Sequence, residues 1–360
     1  MSPVQVCIVA GARPNFIKVA PLVRAINETE GIAYEMVYAG REDDVTLEAE
    51  LFSDLQIAPP DVYLGVACEN LNELTGQVMA QFERYLSARR PDVVVVVDDL
   101  ASTMAAAIVT KKQGVQLAHL VAGTRSFDIK MPKEINRLVI DGLSDVLFTA
   151  GLSNNSNTNR EGAEQSRVYM VGNILLDNLR FNRDRWRRPV LMDELGLAAG
   201  GFLLFTLNRK ALLADEANLK AMLRALQEAA GDVPVVAPLR GAAASFVSAN
   251  SSIQVVPPLP YLEFGWLSRH AMGVVTDSGN VAEEATFNGV PCITLNSYTE
   301  HIETVKTGTN ELVGEDPVLL AAAVRRLVGG SWKRGELPDR WDGRTAVRMV
   351  SILRELCAHE

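Results

Sequence analysis

Residues 272–284 carry the clearest chemistry in this chain. A short apolar run ends at Asp277, Ser278 and Gly279, and a helical pattern with two glutamates follows directly. A helix that begins this way leaves backbone N–H groups without partners, and such groups form a binding site for a phosphate. Glu284 follows about one helical turn later, where a carboxylate accepts hydrogen bonds from ribose hydroxyls. The segment therefore indicates a nucleotide ligand, and an ordinary capped junction between a strand and a helix is the alternative.

A second candidate follows the first apolar run of the chain, at residues 11–18. Gly11 permits a tight turn, Pro14 suits the first turn of a helix, and Arg13 would face a phosphate at the helix N-terminus. A plain turn requires neither Arg13 nor Lys18, so the pair favours a function. The spacing is not GxGxxG, which disfavours a nicotinamide cofactor.

Charged residues flank two further apolar runs. Asp98 and Asp99 end a run of valines, and neighbouring side chains of an extended strand point to opposite faces, so one of the two is expected to face a ligand. A carboxylate there orients a substrate hydroxyl or moves a proton, or it simply caps a helix. Glu134 and Arg137 are three residues apart on one helix face, a spacing typical of a structural ion pair. The polar loops 298–301 and 307–310 are weaker candidates for backbone contacts to phosphate.

These residues must be positioned by strands and helices that alternate along the chain. The apolar runs lie at 4–11, 33–40, 92–99, 117–123, 146–151 and 167–172, and then at 201–208, 233–239, 253–257, 272–277, 290–296 and 311–314. Continuously apolar strands that alternate with helices are typical of parallel sheets covered on both faces, which predicts doubly wound α/β domains. Ligands of such sheets bind at the carboxyl ends of the strands, where the candidate residues fall.

The two series of runs predict two Rossmann-like domains. We place an N-terminal domain at 1–172 and a C-terminal, nucleotide-binding domain at 173–343, with the ligand in the cleft between them. The amphipathic pattern at 344–356 predicts a final helix that packs back on the N-terminal domain.

Composition excludes several classes of function. The net charge of −9 and the isoelectric point near 5.2 argue against nucleic acid or an anionic membrane as a partner. The four cysteines and four histidines show no metal-binding spacing, which indicates reduced thiols and no metal centre. No apolar run approaches the roughly 20 residues of a membrane span. The sequence therefore predicts a cytoplasmic protein.

Motifs along almost the entire chain resemble the non-hydrolysing UDP-N-acetylglucosamine 2-epimerase family. They are GARPNFIKVAPL (11–22), HLVAGTRSFDIKMPKEINR (119–137), VGN (171–173), TDSGNVAEEA (276–285), GVPCITL (289–295), TGTNELVG (307–314) and KRGELPDRWDGR (333–344). The resemblance implies two Rossmann-like domains in a glycosyltransferase-B arrangement with a UDP-sugar between them. It also implies interconversion of UDP-N-acetylglucosamine and UDP-N-acetylmannosamine through elimination and re-addition of UDP, without a cofactor or metal. A homodimer and a role in supplying surface-polysaccharide precursors are further expectations.

The motifs and the resemblance together predict a set of ligand contacts. Those for the nucleotide sugar are Arg13, Lys18, Arg209, Arg240, Asp277, Ser278, Gly279, Asn280, Glu284 and His301. Asp99 and Glu134 keep acidic positions of the family, and with Lys133 they are the groups left to move protons. Lys133 would act as a base only if desolvation lowered its pKa.

Several positions depart from the family pattern. Val121 replaces the acid of His-Val-Glu-Ala-Gly, Lys133 replaces the first glutamate of Pro-Glu-Glu, and Asn208 replaces the histidine of Thr-x-His-Arg. Milder departures are Asp98 for the glycine of Gly-Asp, Arg240 for the histidine of Pro-Val-His, Asn280 for the second glycine after Asp-Ser, and His301 for an arginine. Inverting carbon 2 requires positioned acids and bases, each worth about 10²–10⁴-fold.

The sequence therefore predicts a UDP-sugar site whose acid and base groups are lost or altered. A binding or regulatory pseudoenzyme, alone or paired with an active paralogue, is one form of this hypothesis. An enzyme with altered nucleotide-sugar chemistry, such as a related isomerase or lyase, is another. A standard 2-epimerase is the alternative that family membership alone suggests.

Overall fold

A computed structural model describes residues 2–47, 49–163 and 167–357. The chain divides into two compact units, of which the first comprises Met1–Phe181 with Asp339–Glu360 and the second comprises Asn182–Pro338. Each unit is an α/β unit built around one parallel sheet. None of the described helices is both long and apolar enough to span a membrane.

The first unit has a sheet of seven described strands in the order β3-β2-β1-β4-β5-β6-β7, all parallel. The strands are β1 (Val4–Ala10), β2 (Ile32–Tyr38), β3 (Val62–Tyr63), β4 (Val93–Val97), β5 (Gln116–Ala122), β6 (Val146–Thr149) and β7 (Arg167–Met170). The helices that cover them are α1 (Arg13–Asn27), α2 (Ala49–Leu55), α3 (Leu71–Ala88), α4 (Ala101–Lys112), α5 (Pro132–Leu143), α6 (Leu152–Arg160) and α7 (Leu175–Phe181).

The second unit has a parallel sheet of six described strands in the order β10-β9-β8-β11-β12-β13. The strands are β8 (Leu203–Thr206), β9 (Val235–Pro238), β10 (Gln254–Val256), β11 (Gly273–Thr276), β12 (Cys292–Thr294) and β13 (Asn310–Leu312). The helices are α8 (Leu191–Glu194), α9 (Lys210–Ala214), α10 (Glu216–Ala230), α11 (Gly241–Asn250), α12 (Tyr261–Arg269), α13 (Gly279–Asn288), α14 (Glu303–Lys306) and α15 (Pro317–Val328). The last helix, α16 (Thr345–Cys357), belongs to the first unit and packs against α1.

The central strands show why a continuous apolar run forms a parallel strand. All five valines of β4 are buried, since helices cover both faces of the sheet. In the second unit, the buried strands β8 and β11 lie side by side at the centre of the sheet. Both sheet orders reverse direction beside their first strand, which is the doubly wound pattern.

The predicted α/β class is confirmed, and each predicted apolar run overlaps an observed strand. The edge strand β3 was missed because two half-buried residues are too short for a detectable pattern. The observed division of the chain lies after α7, which packs on α1, whereas the sequence placed the boundary at residue 172. The four cysteines, all within the described ranges, are free thiols, and Cys7 and Cys292 are buried.

Candidate functional site

In the second unit, candidate residues gather at the carboxyl edge of the sheet. Arg240 follows β9, Arg209 follows β8 and Asp277 follows β11, three strands that lie side by side. His301 lies in the segment between β12 and α14. Parallel strands end at one edge, so residues that are far apart in the sequence come to the same side of this sheet.

Asp277 holds the loop after β8 in place. One of its carboxylate oxygens accepts hydrogen bonds from the backbone N–H groups of Asn208 (2.7 Å) and Arg209 (2.6 Å). Its backbone carbonyl accepts a hydrogen bond from the Asn296 side chain (3.3 Å). The other carboxylate oxygen is buried without a partner among the described residues. Asp277 therefore ties together loops from three neighbouring strands.

Arg209 spans the same edge of the sheet. Its guanidinium donates to the Leu295 carbonyl oxygen (3.2 Å) and forms an ion pair with Glu315. Asn208, its neighbour, has an exposed side chain. The guanidinium of Arg209 is thus held in place by a backbone oxygen and a carboxylate at this edge.

The N-terminus of α13 is open. Ser278 precedes the helix in an extended conformation, and its side chain makes no capping hydrogen bond to the described part of the helix. Gly279 begins the helix and is exposed, and a side-chain carbon placed there would approach only the Glu283 carboxylate, at 4.0 Å. The first N–H groups of a helix carry a partial positive charge, so this end suits a phosphate. Asn280 lies in this first turn, as the sequence predicted.

Glu284 lies further along α13 and is buried, with 8% of its surface exposed. Burial, together with the neighbouring Glu283 carboxylate, raises the pKa of the Glu284 carboxyl to about 8. His301 lies beside Glu283, with its Nε2 atom 3.5 Å from a carboxylate oxygen. This part of the site therefore contains two buried acids and one histidine.

In the first unit, the predicted cations and acids lie after β1, β4 and β5, which are neighbours in the sheet. Arg13 is the first residue of α1, and Pro14 lies in its first turn as predicted. The Lys18 ammonium forms an ion pair with Asp98 (2.6 Å), and the Asn15 amide donates to the other oxygen of the same carboxylate (3.0 Å). Lys18 is therefore engaged within the chain.

Asp99 turns toward α5 and away from the partners of Asp98. Arg137 approaches its carboxylate to 2.6 Å and Lys133 to 3.3 Å. Burial opposes the ionisation of Asp99, but these two cations prevail and hold its pKa below the usual value. Asp99 is thus a stable carboxylate at neutral pH.

Glu134 organises the loop before α5. Its carboxylate accepts hydrogen bonds from the Ser126 N–H and hydroxyl (2.9 Å each) and from the Phe127 N–H (3.2 Å). Burial opposes its ionisation, but these donors, with the nearby Arg137 guanidinium, lower the pKa of Glu134. The predicted ion pair with Arg137 is present at 3.3 Å.

Val121 has an unusual backbone. Its φ angle is 74°, in the left-handed region that a β-branched residue rarely adopts. The pairing of β5 with β6 shifts register between Leu120 and Ala122, so Val121 forms a bulge at the strand end. Such bulges change the direction of a side chain beside functional sites.

The sequence analysis missed a buried ionic network beneath this edge. His119 lies 2.5 Å from one oxygen of Asp141, and Arg125 lies 2.7 Å from the other. Arg125 also pairs with Glu161, and the second ring nitrogen of His119 lies 3.0 Å from the Asp98 carbonyl oxygen. The network fixes the turns that follow β4 and β5. No spacing rule in the sequence links Asp141 to its partners.

A cavity of about 700 Å³ also lies at the carboxyl edge of the first sheet. Its wall includes residues that follow β1, β2 and β3, and the sequence analysis had not selected most of them. They include Gly11, Ala12, Tyr38, Gly40, Arg41, Asp44, Val66, Cys68 and Ser102. A side-chain carbon at Gly11 would clash with the Ser102 hydroxyl group, and one at Gly40 would clash with the Tyr38 ring, so both positions of this wall require glycine.

The fold and these strand-end residues define a protein of two Rossmann-like α/β units, and the helix N-terminus after β11 in the second unit has no side-chain cap among the described residues. Residues 24–354 match the family model described as UDP-N-acetylglucosamine 2-epimerase. The chain belongs to this UDP-N-acetylglucosamine 2-epimerase family.

Individual relatives support this membership. The chain is 34% identical to the UDP-2,3-diacetamido-2,3-dideoxy-D-glucuronate 2-epimerase of Pseudomonas aeruginosa, over 90% of this chain and 92% of the relative. It is similar to the crystal structure of the Methanocaldococcus jannaschii UDP-GlcNAc 2-epimerase in complex with UDP-GlcNAc and UDP (TM-score 0.84, 30% identity, 98% and 99% coverage). It is also similar to the structure of a putative UDP-N-acetylglucosamine 2-epimerase from Listeria monocytogenes (TM-score 0.88, 25% identity, 100% and 98% coverage).

Proposed function

We propose that this chain binds a UDP-linked sugar and does not catalyse 2-epimerisation at ordinary enzymatic rates. Residues of the second unit support the proposal that the chain binds a nucleotide. The open N-terminus of α13 suits a diphosphate, and Glu284 offers a carboxyl group to ribose hydroxyls. A relative 30% identical to this chain has been crystallised with UDP-GlcNAc and UDP, which supports the same class of ligand here.

The acidic residues of the first unit support the proposal that the chain does not catalyse 2-epimerisation at ordinary rates. Asp99 and Glu134 both have lowered pKa values, because cations or backbone donors engage their carboxylates. A general acid or base works best when its pKa lies near the working pH, so neither carboxylate suits the removal of a proton from carbon 2. Val121 offers no titratable group in place of the family's acid.

Lys133 is a poor substitute for the glutamate it replaces. A lysine becomes a base when it is desolvated. The Lys133 side chain is 58% exposed and lies 3.3 Å from the Asp99 carboxylate. Both conditions favour a hydrated, paired cation, and we therefore assign Lys133 to binding or to the stabilisation of Asp99.

The test is incubation with UDP-N-acetylglucosamine in deuterated water, followed by proton NMR. We expect UDP to bind and carbon 2 to retain its proton. Turnover at the rates of typical enzymes, about 1–10³ per second, would contradict the proposal. The triple variant V121E/K133E/N208H restores the family's groups and is expected to begin exchange at carbon 2. The matched variant V121Q/K133Q/N208H keeps the histidine and the shapes of the two glutamates without their charges, and it is expected to remain inactive.

An active epimerase on another nucleotide sugar is the second candidate. It is favoured by the 34% identity to a relative named for a diacetamido-glucuronate sugar. The same NMR assay with that UDP-linked uronate separates the two candidates, since exchange at its carbon 2 would favour the second. We also propose a homodimer, in line with the family resemblance, and light scattering would check its mass.

A further inference from the structure

Glu284 has an unusual environment for an acid. It is 8% exposed, and its carboxyl group receives no hydrogen bond from the described residues. Its neighbour Glu283 is also buried, at 6% exposure. A buried carboxylate without a partner costs much free energy, and such a group instead keeps its proton.

The elements that pack on α13 supply no compensating cation to Glu284. These elements are α12, α14, β11, β12 and β13. Titratable or charged groups on or next to these elements are Tyr261, Glu263, Arg269, His270, Asp277, Cys292, His301, Glu303, Lys306 and Glu311. His301 lies beside Glu283, and the charge that acts on Glu284 is the negative charge of Glu283.

A nucleotide would change this balance through its ribose. A neutral carboxyl group donates one hydrogen bond and accepts through its carbonyl oxygen, whereas a carboxylate accepts from two hydroxyl groups through two charged oxygens. Hydrogen bonds to a charged acceptor are about twice as strong as those between neutral groups. A cis-diol placed against Glu284 therefore favours the ionised form.

We propose that Glu284 carries a proton in the ligand-free chain and loses it to solvent when a ribose diol binds, so that nucleotide binding releases one proton. The reaction balances, since the O–H bond of the carboxyl group breaks, its proton passes to the buffer, and the carboxylate accepts two hydroxyl hydrogen bonds. The inference rests on the nucleotide site proposed above and adds its coupling to pH.

Calorimetry with UDP in two buffers of different ionisation enthalpy measures this proton directly. At pH 7 we expect release of about one proton with UDP and much less with 2′-deoxy-UDP, which lacks the diol. The E284Q variant is expected to bind UDP without proton release, whereas E228Q, at an exposed glutamate on α10, is expected to behave as the parent. Between pH 7 and pH 9 the affinity of the parent for UDP should rise roughly tenfold.

The outcomes separate this inference from the proposed function. If UDP binds without proton release, or if E284Q releases the same proton, the inference is wrong and the nucleotide site stands. If UDP does not bind, the proposed function fails and the coupling fails with it. Carboxyl carbon NMR of the ligand-free chain gives an independent check, since an ionised Glu284 at pH 6 would overturn the inference without any ligand.

Discussion

The buried carboxyl of Glu284 predicts how the stability of the second unit depends on pH. The pKa of this group is about 8 in the folded chain against an ordinary value of 4.5. Below pH 4.5 both states hold the proton. Between pH 4.5 and pH 8 the unfolded chain ionises while the folded chain does not, so the free energy of unfolding falls by about 1.4 kcal/mol per pH unit. The total loss is about 5 kcal/mol, and above pH 8 this group contributes no further change.

The E284Q variant removes the titration and keeps the shape of the side chain. Its buried amide lacks partners at every pH, as the neutral carboxyl of the parent does, so the amide adds no dependence on pH. We therefore expect E284Q to be about as stable as the parent at pH 5 and more stable than the parent at pH 9. Urea denaturation measures the stability of the parent and of E284Q at each pH. The transition is followed by the fluorescence of Trp186, Trp266 and Trp332, which all lie in the second unit. Equal pH slopes for the parent and E284Q would refute the reasoning, and E228Q serves as the exposed control.

Three further substitutions test the first unit. D141N weakens the partner of the fully buried Arg125 guanidinium and should cost roughly 3–5 kcal/mol in urea denaturation, and a loss below about 1 kcal/mol would contradict a structural role. K133M removes one of two cations beside Asp99 and should raise the pKa of that carboxyl in an NMR titration, whereas an unchanged value would show that Lys133 makes no contact in solution. G76A lies at an exposed, unobstructed position inside α3 and should add about 0.5–1 kcal/mol to the free energy of unfolding. A loss of stability would contradict this prediction.

Much of the fold was predictable because both sheets are parallel and buried on two faces. Such strands read as continuous apolar runs, and each predicted run overlaps a strand. The common edge at which the candidate residues lie was predictable for the same reason, since parallel strands bring their carboxyl ends to one edge. The two-residue strand β3 and the tight packing of α7 on α1 left no comparable pattern.

The pairing of individual side chains was not predictable from spacing. Lys18 meets Asp98 across 80 positions of sequence, and His119 meets Asp141 across 22. Helix periodicity relates residues three or four apart and carries no information about such pairs. Sequence reasoning therefore selected Lys18 as a ligand contact without showing that an internal carboxylate already engages it.

Two residues of the first unit have backbone conformations that their residue types rarely adopt. Asp98 and Val121 both have positive φ angles, of 59° and 74°. Asp98 tolerates this region, and its contacts with Lys18 and Asn15 offset the cost. Val121 is β-branched, and a strained φ of this kind costs about 1–3 kcal/mol.

This strain persists because the surroundings determine the backbone at residue 121. The Gly123 N–H donates to the buried Asp141 carboxylate (3.0 Å), and a side-chain carbon on Gly123 would lie 2.2 Å from the Asn154 carbonyl oxygen. The turn is therefore fixed from its far side, whatever residue occupies position 121. A glutamate introduced there by V121E would start from the same backbone bulge as Val121, and this is the physical reason to expect the triple variant to recover exchange at carbon 2.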